Sequence, residues 1–232
     1  LQKRLFTSFI LIFVLVVCLF LNKFSWLILL IAASIIIFLE FNNLVNKIWK
    51  KKEFSKHFIK IICFFYLLLF IYSAYFVYEI GLLDIIIILS ICIFSDIGGY
   101  VVGKIFKGKK LTAISPNKTL SGVLGSFIFS LFSILIMHEI VAEPLYLFLG
   151  ENYLAGKLLF LSVILTPKFF FLSIVFSLIA QIGDLIISYF KRLGKIKDTG
   201  KILPGHGGIF DRVDGLIFVV IFAYILLRLG VF

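Results

Sequence analysis

The chain has 232 residues, of which 62% are hydrophobic and 15% are charged. A soluble domain usually has about half apolar and about a quarter charged residues, so this composition excludes a water-soluble fold and predicts a single integral membrane domain over residues 1–232. The formal net charge of +11 is typical of basic cytoplasmic loops in membrane proteins, and we do not expect nucleic-acid binding.

Seven apolar runs are candidates for helices that cross a hydrocarbon core of roughly 30 Å. In chain order they are Leu5–Leu21, Phe24–Phe41, Phe58–Tyr78, Leu82–Val102, Leu120–Met137, Phe169–Phe190 and Gly215–Leu229. No small-residue cleavage pattern follows the first run, so we expect a retained anchor helix and not a signal peptide. The pattern predicts an all-α, polytopic transmembrane helical bundle with about seven spans.

One further apolar piece, Leu158–Thr166, is too short to cross a membrane alone. It fits a re-entrant segment or a longer helix that is broken at Pro167. An additional pair of spans at this place would raise the number to nine.

Basic residues alternate along the chain. Nineteen of the 23 lysines and arginines lie at the N-terminus, in the second and fourth loops and before the last predicted span. The intervening loops hold few basic residues and carry Glu79, Glu139, Glu143 and Glu151. Because lysine and arginine are enriched in cytoplasmic loops, we expect the basic segments in the cytoplasm, which requires an odd number of spans.

The first polar cluster, Ser95–Tyr100, lies near the end of the fourth predicted span. Its carboxylate, Asp96, is costly in or near a membrane span and favours a functional site, although a helix-end residue that faces water would need no function. Gly98, Gly99 and Gly103 predict that this helix closely approaches a neighbouring helix or a ligand.

The second polar cluster, Ser115-Pro116-Asn117-Lys118-Thr119, opens the next predicted helix after a basic loop. Hydroxyls, a lysine and free backbone N–H groups at a helix N-terminus are typical of an anion site. A Ser-Pro pair also simply caps helices, so these residues alone leave both interpretations open.

The third cluster begins as a polar stripe in the sixth predicted span. Polar residues recur there at helical spacing, namely Gln181, Asp184, Ser188 and Lys191 or Arg192. This spacing places them on one face of an otherwise apolar helix. Because a polar face in a membrane must meet a bundle interior or an aqueous cavity, the stripe predicts a functional cavity.

A glycine-rich polar loop follows the stripe, and Asp211 and Asp214 then lie three residues apart, so that they share one helix face. Magnesium binds through one or two carboxylates together with substrate phosphates, and basic side chains neutralise the remaining charge. The backbone N–H groups of Gly207 and Gly208 can reach an anion. The stretch from Gln181 to Asp214 therefore predicts an active site for phosphate chemistry at the cytoplasmic face.

These motifs resemble the signature of the phosphatidate cytidylyltransferases, also called CDP-diacylglycerol synthases. The matching runs are Ser188-Tyr-Phe-Lys191-Arg192, Lys197-Asp198-Thr-Gly200 and Leu203-Pro204-Gly205-His206-Gly207-Gly208-Ile-Phe-Asp211-Arg212-Val-Asp214. The first and second polar clusters resemble two further blocks of that family, in the same order. The resemblance covers residues 95–232, which we interpret as the catalytic helical core. In the N-terminal spans, 1–80, only the apolar character and Glu40 are similar.

The resemblance implies a membrane nucleotidyltransferase of phospholipid biosynthesis that converts CTP and phosphatidate into CDP-diacylglycerol and pyrophosphate. It implies a multi-pass protein of the bacterial inner (cell) membrane, with its active site facing the cytoplasm. The expected cofactor is Mg2+, with a second metal or a monovalent cation as an open alternative. The expected partners are CTP, phosphatidate and membrane lipids, and a homodimer is a further alternative.

The resemblance also implies roles for individual residues. Asp184 and Asp211 are expected to bind the metal, with Asp214 either a third ligand or a neighbour that supports one. Four basic residues are expected to bind phosphates: Lys191, Arg192, Lys197 and Arg212. His206 is expected to orient its neighbours, because the attacking phosphate is already an anion; a general base or a phosphate donor is the alternative.

The remaining residues with an expected role bind substrate. Ser115, Lys118 and Thr119 would bind the CTP phosphates or the lipid headgroup, and Ser188, Gly207 and Gly208 would also contact substrate. Asp96 would bind the metal or contact the cytosine. After Thr119 this chain has Leu120 and Ser121, where the family usually has an aromatic residue and a glutamate.

Three other functions fit the sequence less well. A CDP-alcohol phosphotransferase would share Asp214-Gly215, but the Ala-Arg of that family does not follow. A polyprenol or phytol kinase relative would also use CTP. A transporter would need a polar site at the midplane, whereas the polar residues of this chain gather towards one face.

Overall fold

The computed structural model describes residues 2–50, 52–112, 114–116, 118–137, 166–205 and 207–231. These ranges contain seven helices: α1 Gln2–Leu21, α2 Lys23–Ile48, α3 Glu53–Ile80, α4 Leu82–Phe106, α5 Leu120–Met137, α6 Pro167–Leu193 and α7 Phe210–Arg228. Extended pairing in this part of the chain is limited to two isolated bridges, Lys110 with Thr119 and Leu203 with Gly207. The predicted all-α class is confirmed for the described residues.

Four of these helices, α2, α3, α4 and α6, are long and apolar enough to cross a membrane. Helices α1 and α5 contain the shorter apolar stretches Phe6–Leu21 and Leu120–Ser133. Each of the seven predicted spans coincides with a helix, but the number that cross a membrane stays a prediction. Most of the piece from Leu158 to Thr166 lies outside the described residues. Pro167 is the first residue of α6, where its missing N–H removes no helical hydrogen bond.

The chain divides into two compact units, residues 1–82 with 183–232 and residues 83–182. Helix α6 runs from the second unit into the first. The first unit therefore contains α1, α2, α3, the C-terminal part of α6 and α7. The expected single domain and catalytic core stay predictions.

In the first unit, α2 packs against α3, and α3 packs against α7. Fully buried side chains such as Ile37, Val77 and Val219 fill the contacts. At one end the ring of Phe41 lies 6.1 Å from the rings of both Phe190 and Phe210, in edge-to-face geometry. Outward faces of the helices expose many large apolar side chains, which suits contact with lipid.

The basic segments of the first unit gather at this same end. The hydroxyl of Thr7, near the start of α1, donates a hydrogen bond of 2.9 Å to the carbonyl oxygen of Pro204. Trp49, which follows α2, packs against Phe190 near the end of α6. The N-terminus, the loop after α2 and the loop before α7 therefore lie together, as the charge alternation predicts.

The opposite end of the first unit is joined by a different contact. Lys23, at the start of α2, pairs with Glu79, near the end of α3, at 3.4 Å. Both side chains are about half exposed. The two ends of the first unit therefore differ. One end has basic segments beside buried polar residues, and the other has a half-exposed ion pair.

In the second unit, α4 and α5 approach each other through glycines. A Cβ atom at Gly125 would lie 2.6 Å from the carbonyl oxygen of Gly98, and one at Gly122 would lie 2.8 Å from that of Gly99. Only a residue without a side chain allows backbones to come this close. The predicted close approach of this glycine-containing helix to a neighbour is confirmed.

Candidate active site

The centre of the first unit's polar region is Asp211, in the first turn of α7. Its Oδ2 atom accepts three hydrogen bonds: from the Thr199 N–H at 2.8 Å, the Thr199 hydroxyl at 3.1 Å and the Gly208 N–H at 3.0 Å. Its Oδ1 atom lies 2.9 Å from Lys191 Nζ. The side chain is 4% exposed, so these donors replace most of the water that a carboxylate would otherwise bind.

Lys191 lies between two carboxylates. Its ammonium group is 2.9 Å from Asp211 Oδ1 and 3.8 Å from Asp214 Oδ2, and its side chain is 11% exposed. A buried ammonium is stable only when it is paired in this way. The prediction that Asp211 and Asp214 share one helix face is confirmed, since both face the same cation.

The loop between α6 and α7 folds back at Leu203–Gly207. Leu203 and Gly207 exchange two backbone hydrogen bonds, of 2.9 and 3.2 Å. Gly205 and Gly207 have φ values of 82° and 84°, which glycine adopts without steric cost. This turn presents the Gly208 N–H to Asp211. His206 lies outside the described residues, so its expected role stays a prediction.

The N–H groups of Gly207 and Gly208 already have partners within the chain. The first donates to the Leu203 carbonyl and the second to Asp211. Their expected role in binding phosphate stays a prediction, and it would require these groups to exchange partners.

The structure adds Glu40 and Thr199 to this region, two residues that sequence reasoning did not place in the site. Glu40, on α2, is 3% exposed and lies 3.0 Å from the Thr199 hydroxyl. Its carboxylate also accepts the N–H groups of Ile209 and Phe210 at 3.1 and 2.9 Å. Two signals pointed to Glu40. It is a single carboxylate at the end of an uncharged run, which is costly inside a membrane helix, and it is the one polar residue of the N-terminal spans that resembles the family.

The polar stripe on α6 lies along the same helix. The Ser188 hydroxyl donates to Asp184 Oδ1 at 3.2 Å, and Ser188 is buried. This contact places Asp184 and Ser188 on one face, as their spacing predicts. Lys191 continues α6 towards Asp211, so the stripe leads to the buried aspartates.

The other predicted phosphate-binding residues lie at the surface. Arg192, Lys197 and Arg212 are all exposed, and the Arg192 guanidinium donates to the Ile196 carbonyl at 3.4 Å. Exposed cations next to a buried carboxylate cluster can attract a soluble polyphosphate. Their contacts with substrate stay predictions.

The second unit holds the other expected substrate-binding residues. Lys118 Nζ lies 3.5 Å from the Gln181 carbonyl oxygen. The Thr119 hydroxyl accepts the Gly122 N–H at 3.1 Å, which caps the start of α5. Ser115 is half-buried and Asp96 is exposed. The two interpretations of each cluster, as a site or as a helix end, both stay open.

The buried aspartates are suited to a cation. Asp211 and Asp214 already face an ammonium group, and carboxylate oxygens are the ligands that Mg2+ prefers. Among the described residues, no three histidine, cysteine or acidic side chains gather as a ready-made metal site. The predicted ligands Asp184, Asp211 and Asp214 stay predictions.

Known proteins resemble this chain over the same region. The profile of the cytidylyltransferase family matches residues 45–230. The chain is 37% identical over 149 residues to a phosphatidate cytidylyltransferase of Helicobacter pylori, which covers 64% of this chain and 48% of that protein. It is 40% identical over 136 residues to the phosphatidate cytidylyltransferase of Bacillus subtilis, covering 58% and 44%.

A phosphatidate cytidylyltransferase of Staphylococcus saprophyticus is 40% identical over 134 residues, covering 57% of this chain and 44% of that protein. The chain thus spans about half the length of the curated relatives it matches. The family match includes Asp184, Lys191, Asp211 and Asp214 and covers most of the sequence. The chain therefore belongs to the cytidylyltransferase family.

Proposed function

We propose that this chain transfers a cytidylyl group from CTP to phosphatidate and so produces CDP-diacylglycerol and pyrophosphate. Family membership supports the use of CTP, and the relatives are phosphatidate cytidylyltransferases, which supports phosphatidate as the acceptor. The observation that carries the proposal is the buried Asp211–Lys191–Asp214 cluster, because its carboxylates pair with the Lys191 ammonium at the end of the first unit where that unit's basic segments gather.

In this reaction a phosphate oxygen of phosphatidate attacks the α-phosphorus of CTP. A new P–O bond forms, the bond from the α-phosphorus to the bridging oxygen breaks, and pyrophosphate leaves with the electron pair. When bound, Mg2+ would neutralise phosphate charge and align the two substrates. The nucleophile is already an anion, so the protein needs no general base.

The chain's own residues would act by position and charge. Asp211 and Asp214 would hold the cation, and Lys191 would move from these carboxylates to a phosphate oxygen as substrate binds. The exposed Arg192, Lys197 and Arg212 would attract the triphosphate. Once Lys191 and the cation are in place around the phosphates, their charges would need little further reorganisation as charge develops on the leaving group.

The proposed setting is the cytoplasmic face of a bacterial inner membrane. The clustering of basic segments at the end that holds Asp211 supports this orientation. Phosphatidate is already in the bilayer, so its tails would enter sideways between helices. The exposed apolar helix faces support contact with lipid on this route.

The experiment that tests the proposal uses purified protein in detergent with CTP, phosphatidate and Mg2+. We expect CDP-diacylglycerol to form only with a divalent cation, and Asp211→Asn to lower kcat by about 100- to 1000-fold, the usual effect of losing one preorganised charge-stabilising group. Asp84→Asn is the matched control, because it makes the same chemical change at a residue with no expected role in the site. Asp84 lies in the first turn of α4, about 18 Å along that helix from Asp96, the carboxylate of α4 that has an expected role.

Three results would contradict the proposal. Full activity of Asp211→Asn would show that this residue does not bind the metal. Preference for another nucleotide would remove CTP as the donor. An equal loss in Asp84→Asn would show that the loss reflects protein stability and not chemistry.

A further inference from the structure

We propose that Glu40 is a positioning residue of this active site, which holds Asp211 in place through Thr199 and the N-terminal amides of α7. The inference rests on the function proposed above. Glu40 lies on α2, outside the residues 45–230 that match the family, and it is separated from Phe210 by 170 positions.

Glu40 supplies the cap that α7 lacks. The residue at the N-cap position, Ile209, makes no side-chain capping hydrogen bond. Glu40 Oε1 accepts the N–H of Ile209 at 3.1 Å, and Oε2 accepts the N–H of Phe210 at 2.9 Å. These groups are among the four N–H donors that a helix leaves without partners at its start, and a negative charge is favoured there by the helix dipole.

The loop before α7 is shaped around this carboxylate. A Cβ atom at Gly200 or at Gly208 would overlap the carboxylate of Glu40. Neither glycine has a positive φ value, so the backbone conformation alone does not require glycine at these two positions. The absence of side chains therefore provides the space in which Glu40 reaches the loop.

The same loop connects Glu40 to Asp211. The Thr199 hydroxyl lies 3.0 Å from Glu40 Oε2 and 3.1 Å from Asp211 Oδ2. A hydroxyl has one proton, so the two carboxylates share this donor. The Thr199 N–H and the Gly208 N–H also bind Asp211 Oδ2, and this leaves Oδ1 directed at Lys191. By fixing Thr199 and residues 208–210, Glu40 fixes the direction of Asp211 Oδ1.

The test is Glu40→Gln, in which one carboxylate oxygen becomes an NH2 group that cannot accept the N–H of Ile209 or Phe210. We expect faster backbone hydrogen exchange over residues 207–211, measured in detergent without divalent cation. We also expect the half-saturating Mg2+ concentration for CDP-diacylglycerol synthesis to rise about 10- to 100-fold, the usual effect of losing a residue that orients a metal ligand.

Leu30→Ala is the matched control. Leu30 is buried on the same helix, about 15 Å along it from Glu40. We expect this variant to have a lower denaturation temperature. Its Mg2+ requirement and the hydrogen exchange of residues 207–211 should equal those of the unsubstituted protein. A merely structural role of Glu40 would make the two variants alike.

Thr199→Val provides a second test if Glu40→Gln does not fold. Valine removes the shared hydroxyl and keeps the hydrogen bond from the Thr199 N–H to Asp211. We therefore expect smaller increases in hydrogen exchange over residues 207–211 and in the half-saturating Mg2+ concentration. Unchanged exchange over residues 207–211 in the folded variant would overturn the proposal, and so would a Mg2+ requirement equal to that of Leu30→Ala.

The exchange measurement also separates this inference from the proposed function. If the original chain makes no CDP-diacylglycerol but Glu40→Gln still speeds exchange over residues 207–211, the proposed reaction is wrong and the support of this segment by Glu40 stands. If the original chain is active and exchange is unchanged, the reaction stands and the role of Glu40 is wrong.

Discussion

The N–H groups at the starts of α5 and α7 both bind polar side chains, but these side chains lie at very different distances along the sequence. Thr119 caps α5 from the adjacent position, through a 3.1 Å bond from the Gly122 N–H. The first amides of α7 bind Glu40, 169 and 170 positions away. A local cap needs only a short motif, whereas a cap supplied by another helix requires the tertiary fold.

The two helix starts also differ in the groups that bind them. At α5, the observed Thr119 contact is the one that any helix start would use. At α7, Glu40 and Asp211 share the Thr199 hydroxyl. Asp211 also accepts the N–H groups of Thr199 and Gly208. Glu40 accepts those of Ile209 and Phe210. Burying several carboxylates together is costly, and here the Lys191 ammonium and the surrounding N–H groups offset that cost. A bound cation in the active protein is the proposal made above.

The largest expected effect comes from Lys191→Met, which removes the cation between Asp211 and Asp214. Breaking a buried ion pair from one side costs about 3–5 kcal/mol, so we expect a clearly lower denaturation temperature without divalent cation. Activity should fall at least about 100-fold. Mg2+ should restore part of the stability, because it can take the place of the ammonium group.

The control for this prediction is Lys56→Met. Lys56 pairs with Glu53 on the surface of α3, at 3.2 Å, and such exposed pairs contribute about 0–1 kcal/mol. A Lys191→Met protein with unchanged stability and activity would contradict the role that we give to the buried cluster.

An intermediate effect is expected from Gly98→Ala, which tests how α5 is held against α4. The added methyl group would meet the carbonyl oxygen of Gly125, a backbone atom that cannot move alone. We expect a loss of about 1–3 kcal/mol in the free energy of unfolding, followed by thermal denaturation in detergent.

The adjacent substitution Gly99→Ala is the matched control. Its methyl group would lie 2.7 Å from the Ser126 hydroxyl oxygen, and a side chain of this kind can rotate away. Equal destabilisation by the two alanines would show that backbone contact between α4 and α5 does not determine the packing.

The smallest effect is expected from Thr119→Ala, which removes the local cap of α5. A lost threonine cap costs about 1 kcal/mol, and Thr119→Ser should restore it. The KM for CTP is measured in the same variants, since Thr119 is also a predicted substrate-binding residue. An unchanged denaturation temperature in Thr119→Ala would contradict the capping role.

Much of the fold follows from the sequence because apolar runs in a membrane have few alternatives to helices. All seven predicted spans coincide with helices, and the shared face of Asp211 and Asp214 follows from their spacing of three residues. Helix ends were less predictable: α2 continues past Phe41 to Ile48, since polar residues such as Asn42 and Asn43 do not end a helix by themselves.

The contacts of Glu40 and Thr199 could not be derived from spacing. Their separation along the chain is 159 residues, and no periodic pattern relates positions on different helices at that distance. The cost of a lone carboxylate in a membrane helix marks Glu40 as unusual, but only the packing of α2 beside the loop before α7 identifies its partners.

The most direct measurement of the central claim follows two positions of CTP in one reaction. Purified protein is given phosphatidate, Mg2+ and CTP that is labelled either at the α-phosphate or at the γ-phosphate. Cytidylyl transfer predicts that the α-label enters the lipid product and the γ-label leaves as pyrophosphate. Entry of the γ-label into lipid would instead identify a kinase, and no lipid labelling from either position would contradict the proposed reaction.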